Sequence, residues 1–160
     1  ATTYNNMAVV YRDQGEYDKA LELYENCLTI QKKRLDADHP DIATTYNNMA
    51  VVYIYQGKYE TAMEYCQNSL EIRRNYPQLD PLYIAPNYYN IASIYDLKGE
   101  YEAALEYYKN AYEIYCPSLG ENHPCSQTCL SEIHMIYKKL RWWGWWLKIK
   151  RWFNKKKDVE

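Results

Sequence analysis

The sequence predicts an all-α solenoid of stacked, antiparallel helical hairpins, and three observations predict it. Residues 1–11, A-T-T-Y-N-N-M-A-V-V-Y, return unchanged as residues 43–53. A third copy begins at Ala85, with Asn90, Ala92, Tyr95, Gly99, Tyr101 and Ala104 each 42 residues beyond Asn48, Ala50, Tyr53, Gly57, Tyr59 and Ala62. Within each copy the apolar residues recur at spacings of three and four, the period of one helix face, and do not alternate as in a strand. A unit of this length cannot bury an apolar face alone; stacking several gives one continuous core and an extended surface suited to binding.

Tyr4, Met7, Ala8 and Tyr11 share one face of a first helix, which Gly15 ends. Tyr17, Ala20, Leu21, Tyr24, Leu28 and Ile30 then set out a second helix. Ala8 and Ala20 fall where the two helices approach most closely, and a larger side chain there would push the hairpin apart. Their counterparts are Ala50 with Ala62 and Ala92 with Ala104. Asp38-His39-Pro40-Asp41 closes the first unit, its proline at an opening helical position where a missing N–H costs nothing. Asp80-Pro81 and His123-Pro124 mark the next two junctions, and residues 35–39 and 117–122 read as short loops. The expected organisation is one array over residues 1–137, with units 1–42, 43–84 and 85–126 and the first helix of a degenerate fourth unit over 127–137. A separate C-terminal segment, 138–160, follows.

Composition narrows the function. No apolar run approaches the roughly 18–20 residues needed to span a bilayer, so neither a spanning segment nor a secretory leader is expected within these residues. The chain lacks an initiating methionine and starts in register with a unit, as a piece of a longer array would. Five irregularly spaced cysteines suit a reducing compartment, so a cytoplasmic protein is expected, with a peripheral membrane location as a variant. Cys27 and Cys66 stand at apolar helical positions, as packed thiols do. Cys116, Cys125 and Cys129 gather near His123 and His134, but H-x-C-x3-C-x4-H is not a common zinc spacing, so no metal or cofactor is expected. Gly15, Gly57 and Gly99 each stand singly and form no phosphate-cradling loop. No nucleophile motif occurs, and glutamates such as Glu22, Glu60 and Glu102 belong on solvated helix faces. The expectation is a protein that is not an enzyme.

The motifs N-N-M-A-V-V-Y, G-E-Y-D-K-A-L-E-L-Y and D-H-P-D in the first unit, with G-K-Y-E-T-A-M-E-Y and G-E-Y-E-A-A-L-E-Y-Y in the next two, resemble tetratricopeptide repeats. They are most similar to the 42-residue class of kinesin light chains and nephrocystin-3-like proteins, and the resemblance covers residues 1–137. It implies a right-handed superhelix whose first helices line a concave groove, and a protein–protein adaptor that holds an extended or helical partner segment there.

The groove candidates come from those first helices. Asn5 and Asn6 return as Asn47 and Asn48; Asn90 keeps the second of the pair while Tyr89 replaces the first. Asparagine is a middling helix former, so its return at one place needs a use. A carboxamide can donate to and accept from the free backbone of an extended partner, and the resemblance implies this role; bracing of neighbouring hairpins is the alternative. Further along sit Val9, Val51 and Ser93, then Arg12, Ile54 and Asp96, a mixed surface without the cluster of bases that a terminal carboxylate would require.

The C-terminal segment departs from the repeats. All five tryptophans lie between Trp142 and Trp152, and residues 138–157 carry nine lysines or arginines and no acid, against ten basic and nineteen acidic residues before them. Arg141 replaces the turn glycine, so the chain either turns at Gly144 or continues as a helix. On a helix, Trp142, Trp145, Trp146, Ile149, Trp152 and Phe153 share one side, with Lys148, Arg151 and Lys155 opposite. Such a face suits a cap on the array, self-association into a homo-oligomer, or docking on an anionic membrane. Nucleic acid is disfavoured because the remaining chain is acidic. The leading function is therefore an adaptor. Its rivals are a peripheral tether joining a partner, such as a cytoskeletal protein, to anionic lipid, and a self-assembling structural repeat.

Overall fold

The computed structural model describes residues 2–76 and 80–157, with side chains through Trp142. Seven α-helices follow in order: α1 (Thr2–Asp13), α2 (Tyr17–Arg34), α3 (Pro40–Tyr55), α4 (Tyr59–Asn75), α5 (Ala85–Lys98), α6 (Tyr101–Leu119) and α7 (Pro124–Lys157), with a 3-10 turn at Pro81–Tyr83. Among the described residues there is no strand, and no helix is long and apolar enough to cross a membrane. Hairpins α1–α2, α3–α4 and α5–α6 stack in sequence, and α7 lies on α6. The fold is the expected all-α solenoid.

One turn closes all three hairpins. Gly15, Gly57 and Gly99 take φ of 78°, 71° and 79°, the left-handed conformation that only glycine adopts without strain. It lets the next residue reach back five, Glu16 to Tyr11, Lys58 to Tyr53 and Glu100 to Tyr95, each N–H donating to the carbonyl at 2.9 Å, a pairing that satisfies carbonyls left over at a helix end. A side-chain cap opens α3, α7 and the 3-10 turn before α5. His39 Nδ1 accepts from the Asp41 N–H at 3.1 Å, His123 Nδ1 from that of Cys125 at 3.2 Å, and Asp80 Oδ1 from that of Leu82 at 2.8 Å. The histidines of the junction motif are thus helix caps.

The core is a row of equivalent clusters, each closed by residues of the next unit. Ala8, Ala20 and Tyr24 pack with Met49 and Val52. Ala50, Ala62 and Cys66 pack with Ile91 and Ile94. Ala92, Ala104 and Tyr108 pack with Ile133 and Ile136. All six alanines are fully buried, so the facing helices approach as closely as the sequence predicts. Burial pushes the thiols of Cys66 and Cys129 up to about 12, and among the described residues no group of His, Cys, Asp or Glu is placed to hold a metal.

One detail differs from the sequence expectation, and a second settles an alternative that the sequence left open. Residues 117–119, read as loop, are helical: α6 runs through Pro117 to Leu119. Proline forfeits one backbone bond there, close to a helix end where little follows for it to disrupt. The second concerns the chain's end, where both a turn at Gly144 and a continuing helix were open. Helix α7 continues, 34 residues long, or about 50 Å at 1.5 Å per residue.

Candidate partner-binding groove

Successive first helices touch one another, α1 with α3 and α3 with α5, while α2, α4 and α6 contact chiefly the hairpins on either side. The layer with the closer spacing is the inside of a curve. The first helices therefore form the inner layer, and the groove candidates at residues 5, 6, 9 and 12 of each unit are all carried on them.

Rungs of side chains join the first helices across this surface. Asn48 Nδ2 donates to Asn5 Oδ1 at 3.1 Å, and Asn90 Nδ2 donates to Asn47 Oδ1 at 3.0 Å. A third rung lies deeper along the helices, where Lys139 Nζ meets Asp96 Oδ1 at 2.5 Å. All three span 43 residues. Asn47 and Asn90 are only 8% and 9% exposed, whereas Asn5 and Asn48 are half-buried and Asn6 is exposed. Each rung braces two hairpins, one of the two uses that the sequence leaves open for the asparagines, while Nδ2 of Asn5 and Oδ1 of Asn48 make no hydrogen bond among the described residues.

Where tyrosine replaces asparagine the rung changes character. Tyr89 is half-buried against Tyr108, ring centroids 5.3 Å apart. Its hydroxyl is pushed up to about 12, first by burial and then by the negative charge of Glu132 on α7. Ser93 donates to the Tyr89 carbonyl at 3.0 Å and shares a 3.1 Å hydrogen bond with the Tyr108 hydroxyl. Val9 and Val51 are half-buried. Arg12 is held by Asp13, its Nε and Nη2 donating to Oδ1 at 2.9 and 2.7 Å. With Arg12 and Lys139 both paired to acids, Lys138 is the exposed base of this surface among the described residues.

The residue one place beyond Arg12, Ile54 and Asp96 was not among the sequence candidates. Tyr55 is 61% exposed and stacks on Tyr17 at 6.0 Å, Leu97 is 54% exposed, and Lys139 makes the third rung. Their signal was an offset: partners across the first helices lie 43 residues apart, although the repeat is 42. A cavity of about 260 Å³ lined by Tyr89, Tyr115, Pro124, Cys125 and Thr128 opens at the α7 end. Of the C-terminal candidates, Trp142 is 62% exposed beside Tyr101 and the two lysines before it. The side chains of Trp145, Trp146, Lys148, Ile149, Arg151, Trp152, Phe153 and Lys155 lie outside the described residues.

A family model described as tetratricopeptide repeat matches residues 1–75 and again 41–117. The chain belongs to the tetratricopeptide repeat family. No curated protein matches it. Among solved structures, this tetratricopeptide array is similar to the nearly identical TPR-like repeats of a protein described as a kinesin light chain from Podosopora anserina, with 22% identity and a TM-score of 0.73 over 85% of this chain and 64% of that one. It is also similar to BtubC (BKLC) from P. vanneervenii, with 23% identity, a TM-score of 0.71, and 82% and 52% coverage. A third is the first TPR of Spaghetti (RPAP3), solved with the HSP90 peptide SRMEEVD, with 18% identity, a TM-score of 0.62, and 88% and 92% coverage. These identities bear on the fold alone. The chain spans less than two thirds of the length of the first and second of these structures.

Proposed function

We propose that this tetratricopeptide array is a non-enzymatic adaptor, similar to the arrays of kinesin light chains, that takes an extended or helical segment of a partner protein on its concave surface. The observation that carries the reading is the half-used rung. Asn5 and Asn48 are fixed by one hydrogen bond to each other and keep a donor and an acceptor accessible, the pair of groups that an extended backbone needs. Around it the surface is pre-organised by side chains already held in place, which lowers the entropy lost on binding. The paired state of Arg12 and Lys139 argues against a segment chosen for a terminal carboxylate. A partner with mixed apolar and polar side chains fits Val9, Val51 and Ile54 better. The Spaghetti repeat, which holds an HSP90 peptide, is a precedent for the architecture but not for the sequence recognised.

The test is selection of displayed random peptides against the chain, followed by calorimetry of the winners with Val51→Arg and Lys138→Glu. Groove binding predicts at least a tenfold loss, about 1.4 kcal/mol, with little change in thermal midpoint. Undiminished affinity in both variants would move the binding site elsewhere.

A further inference from the structure

Helix α7 has two halves. In the first, Cys129, Ile133, Ile136 and Leu140 form a stripe that packs on the clusters of α5 and α6. The opposite line of the same helix, Ser131, Met135, Lys138 and Trp142, is exposed throughout. This half ends where its neighbours end: α5 stops at Lys98, and α6 begins at Tyr101, which lines one cavity with Lys138, Lys139 and Trp142. Helix α7 does not stop there. Its backbone stays helical to Lys157, so residues 143–157 run about 22 Å past the first residue of α6 at 1.5 Å per residue. At 100° per residue, Trp145, Trp146, Ile149, Trp152 and Phe153 occupy positions that continue the exposed line of Met135, Lys138 and Trp142. Those positions lie about 170° round the helix from the stripe that packs on α6. A continuous helix does not fold back, so this face does not cover the array's open end.

We propose that this face docks on an anionic membrane surface, with residues 143–157 lying in the plane of the headgroups and the array left in water. Charge selects the occupant. Residues 138–157 carry nine bases and no acid. A second copy would set like charges against each other along the flanks of the seam, where paired helices need opposite ones, whereas anionic headgroups supply the missing sign. Tryptophan, an apolar body with one N–H, is the residue that the headgroup boundary favours. An aromatic line flanked by lysine and arginine is the pattern of a helix that lies in that boundary and does not cross it. Lys156 interrupts the line, and a lysine stem is long enough to leave its charge among the headgroups. The inference does not depend on what the groove binds.

All five tryptophans lie between Trp142 and Trp152, so selectively excited tryptophan emission from the whole chain reads this segment alone. Vesicles of phosphatidylcholine with about three parts in ten of phosphatidylserine should shift that emission to the blue, and binding should fall about tenfold or more between about 0.05 and 0.3 M salt. Vesicles of phosphatidylcholine alone should bind about tenfold more weakly or less. Two matched variants test the register. Ile149→Glu sets an acid on the exposed line, and Leu147→Glu sets the same acid about 160° away, on the side that faces α6 earlier in the helix. The first should lose about tenfold or more in affinity for the anionic vesicles and the second less than about threefold, both with an unchanged thermal midpoint. Equal losses, or the larger loss in Leu147→Glu, would overturn the proposal. So would a whole chain that ignores the anionic vesicles while its emission shifts with single-stranded polynucleotide, or one that sediments as a dimer and is dissociated by Ile149→Glu; nucleic acid or a second copy would then own the face.

Discussion

Along α1, α3 and α5 the seam against the second helices holds one side chain three times, Ala8, Ala50 and Ala92, each fully buried. The next residue on the same helices is Val9, Val51 and Ser93, and a turn further on Arg12, Ile54 and Asp96. Two faces of one helix are therefore under opposite demands. On the seam, two backbones approach so closely that only a methyl group fits, and every unit must solve that problem the same way. On the other face nothing presses from across, and the groups are free to vary: valine twice and then serine at one place, arginine, isoleucine and aspartate at the next. Repetition here builds the scaffold and variation writes the surface.

A direct way to break that contrast is to make the seam vary. Ala62→Leu places three more carbon atoms into a cluster already filled by Ala50, Cys66, Leu70, Ile91 and Ile94. Overpacking of this kind costs about 1–3 kcal/mol, and the upper end is expected where two helices meet at alanine. Urea unfolding followed by circular dichroism should show a loss of about 3 kcal/mol. A loss under about 1 kcal/mol would mean that the seam is loosely packed and that its repetition has another cause.

A somewhat smaller effect separates the faces by pH. The buried hydroxyl of Tyr24 is pushed up to about 12 by desolvation, and those of Tyr65 and Tyr89 likewise. Unfolded tyrosines ionise near 10. Between those values the unfolded chain releases protons that the folded chain retains, so stability is intact below pH 10 and falls as pH rises towards 12. Tyr24, fully buried, should account for about 2 kcal/mol of the loss. Parallel urea titrations at about pH 8 and pH 11.5 check the fall, and Tyr24→Phe should reduce it. An unchanged fall in Tyr24→Phe would assign the alkaline weakness to other groups.

These contrasts explain what could be read in the sequence. Hairpins, turn glycines, seam alanines and junction prolines were legible because each is a local solution repeated at the same spacing. The junction histidines announced themselves by standing before proline, though only the structure shows His39 and His123 accepting from the N–H two residues on. The rungs were half legible. The asparagines stood out as only middling helix formers returning at one place, but their pairing depends on a one-residue offset between neighbouring helices, which a 42-residue period conceals; the Asp96–Lys139 rung was missed for that reason. Arg141 signalled the loss of a turn, but whether Gly144 then turns or continues a helix depends on packing, and φ alone does not decide it in advance.

The junction caps supply the next effect in size. His39→Ala removes the acceptor of the Asp41 N–H at the start of α3, a type of loss worth about 0.5–2 kcal/mol. Because His39 is half-exposed and water can replace it, a value near 0.5–1 kcal/mol is expected from urea unfolding. His39→Asn, which keeps an acceptor on a short side chain, should recover most of it. Equal losses in both variants would mean that the imidazole ring matters for packing and not for its nitrogen.

The smallest effects belong to a single position followed through three units. Asn6, Asn48 and Asn90 are the same residue at the same place in α1, α3 and α5, but the first is exposed, the second half-buried and the third nearly closed off. Alanine is a better helix former than asparagine by about 0.5 kcal/mol, and each substitution gains that much. Against it stands the rung. Asn90→Ala leaves the Asn47 carbonyl oxygen buried without its donor, a cost of about 1–3 kcal/mol, so a net loss of about 1 kcal/mol is expected. At Asn48 the partner oxygen on Asn5 can turn to water, and gain and loss should nearly cancel. At Asn6, which has no rung in this chain, only the propensity remains and Asn6→Ala should stabilise by about 0.5 kcal/mol. Three equal values would show that the rungs contribute nothing to stability and that the asparagines serve the groove alone; a graded series would make each rung a brace whose strength is set by how far the surrounding units exclude water.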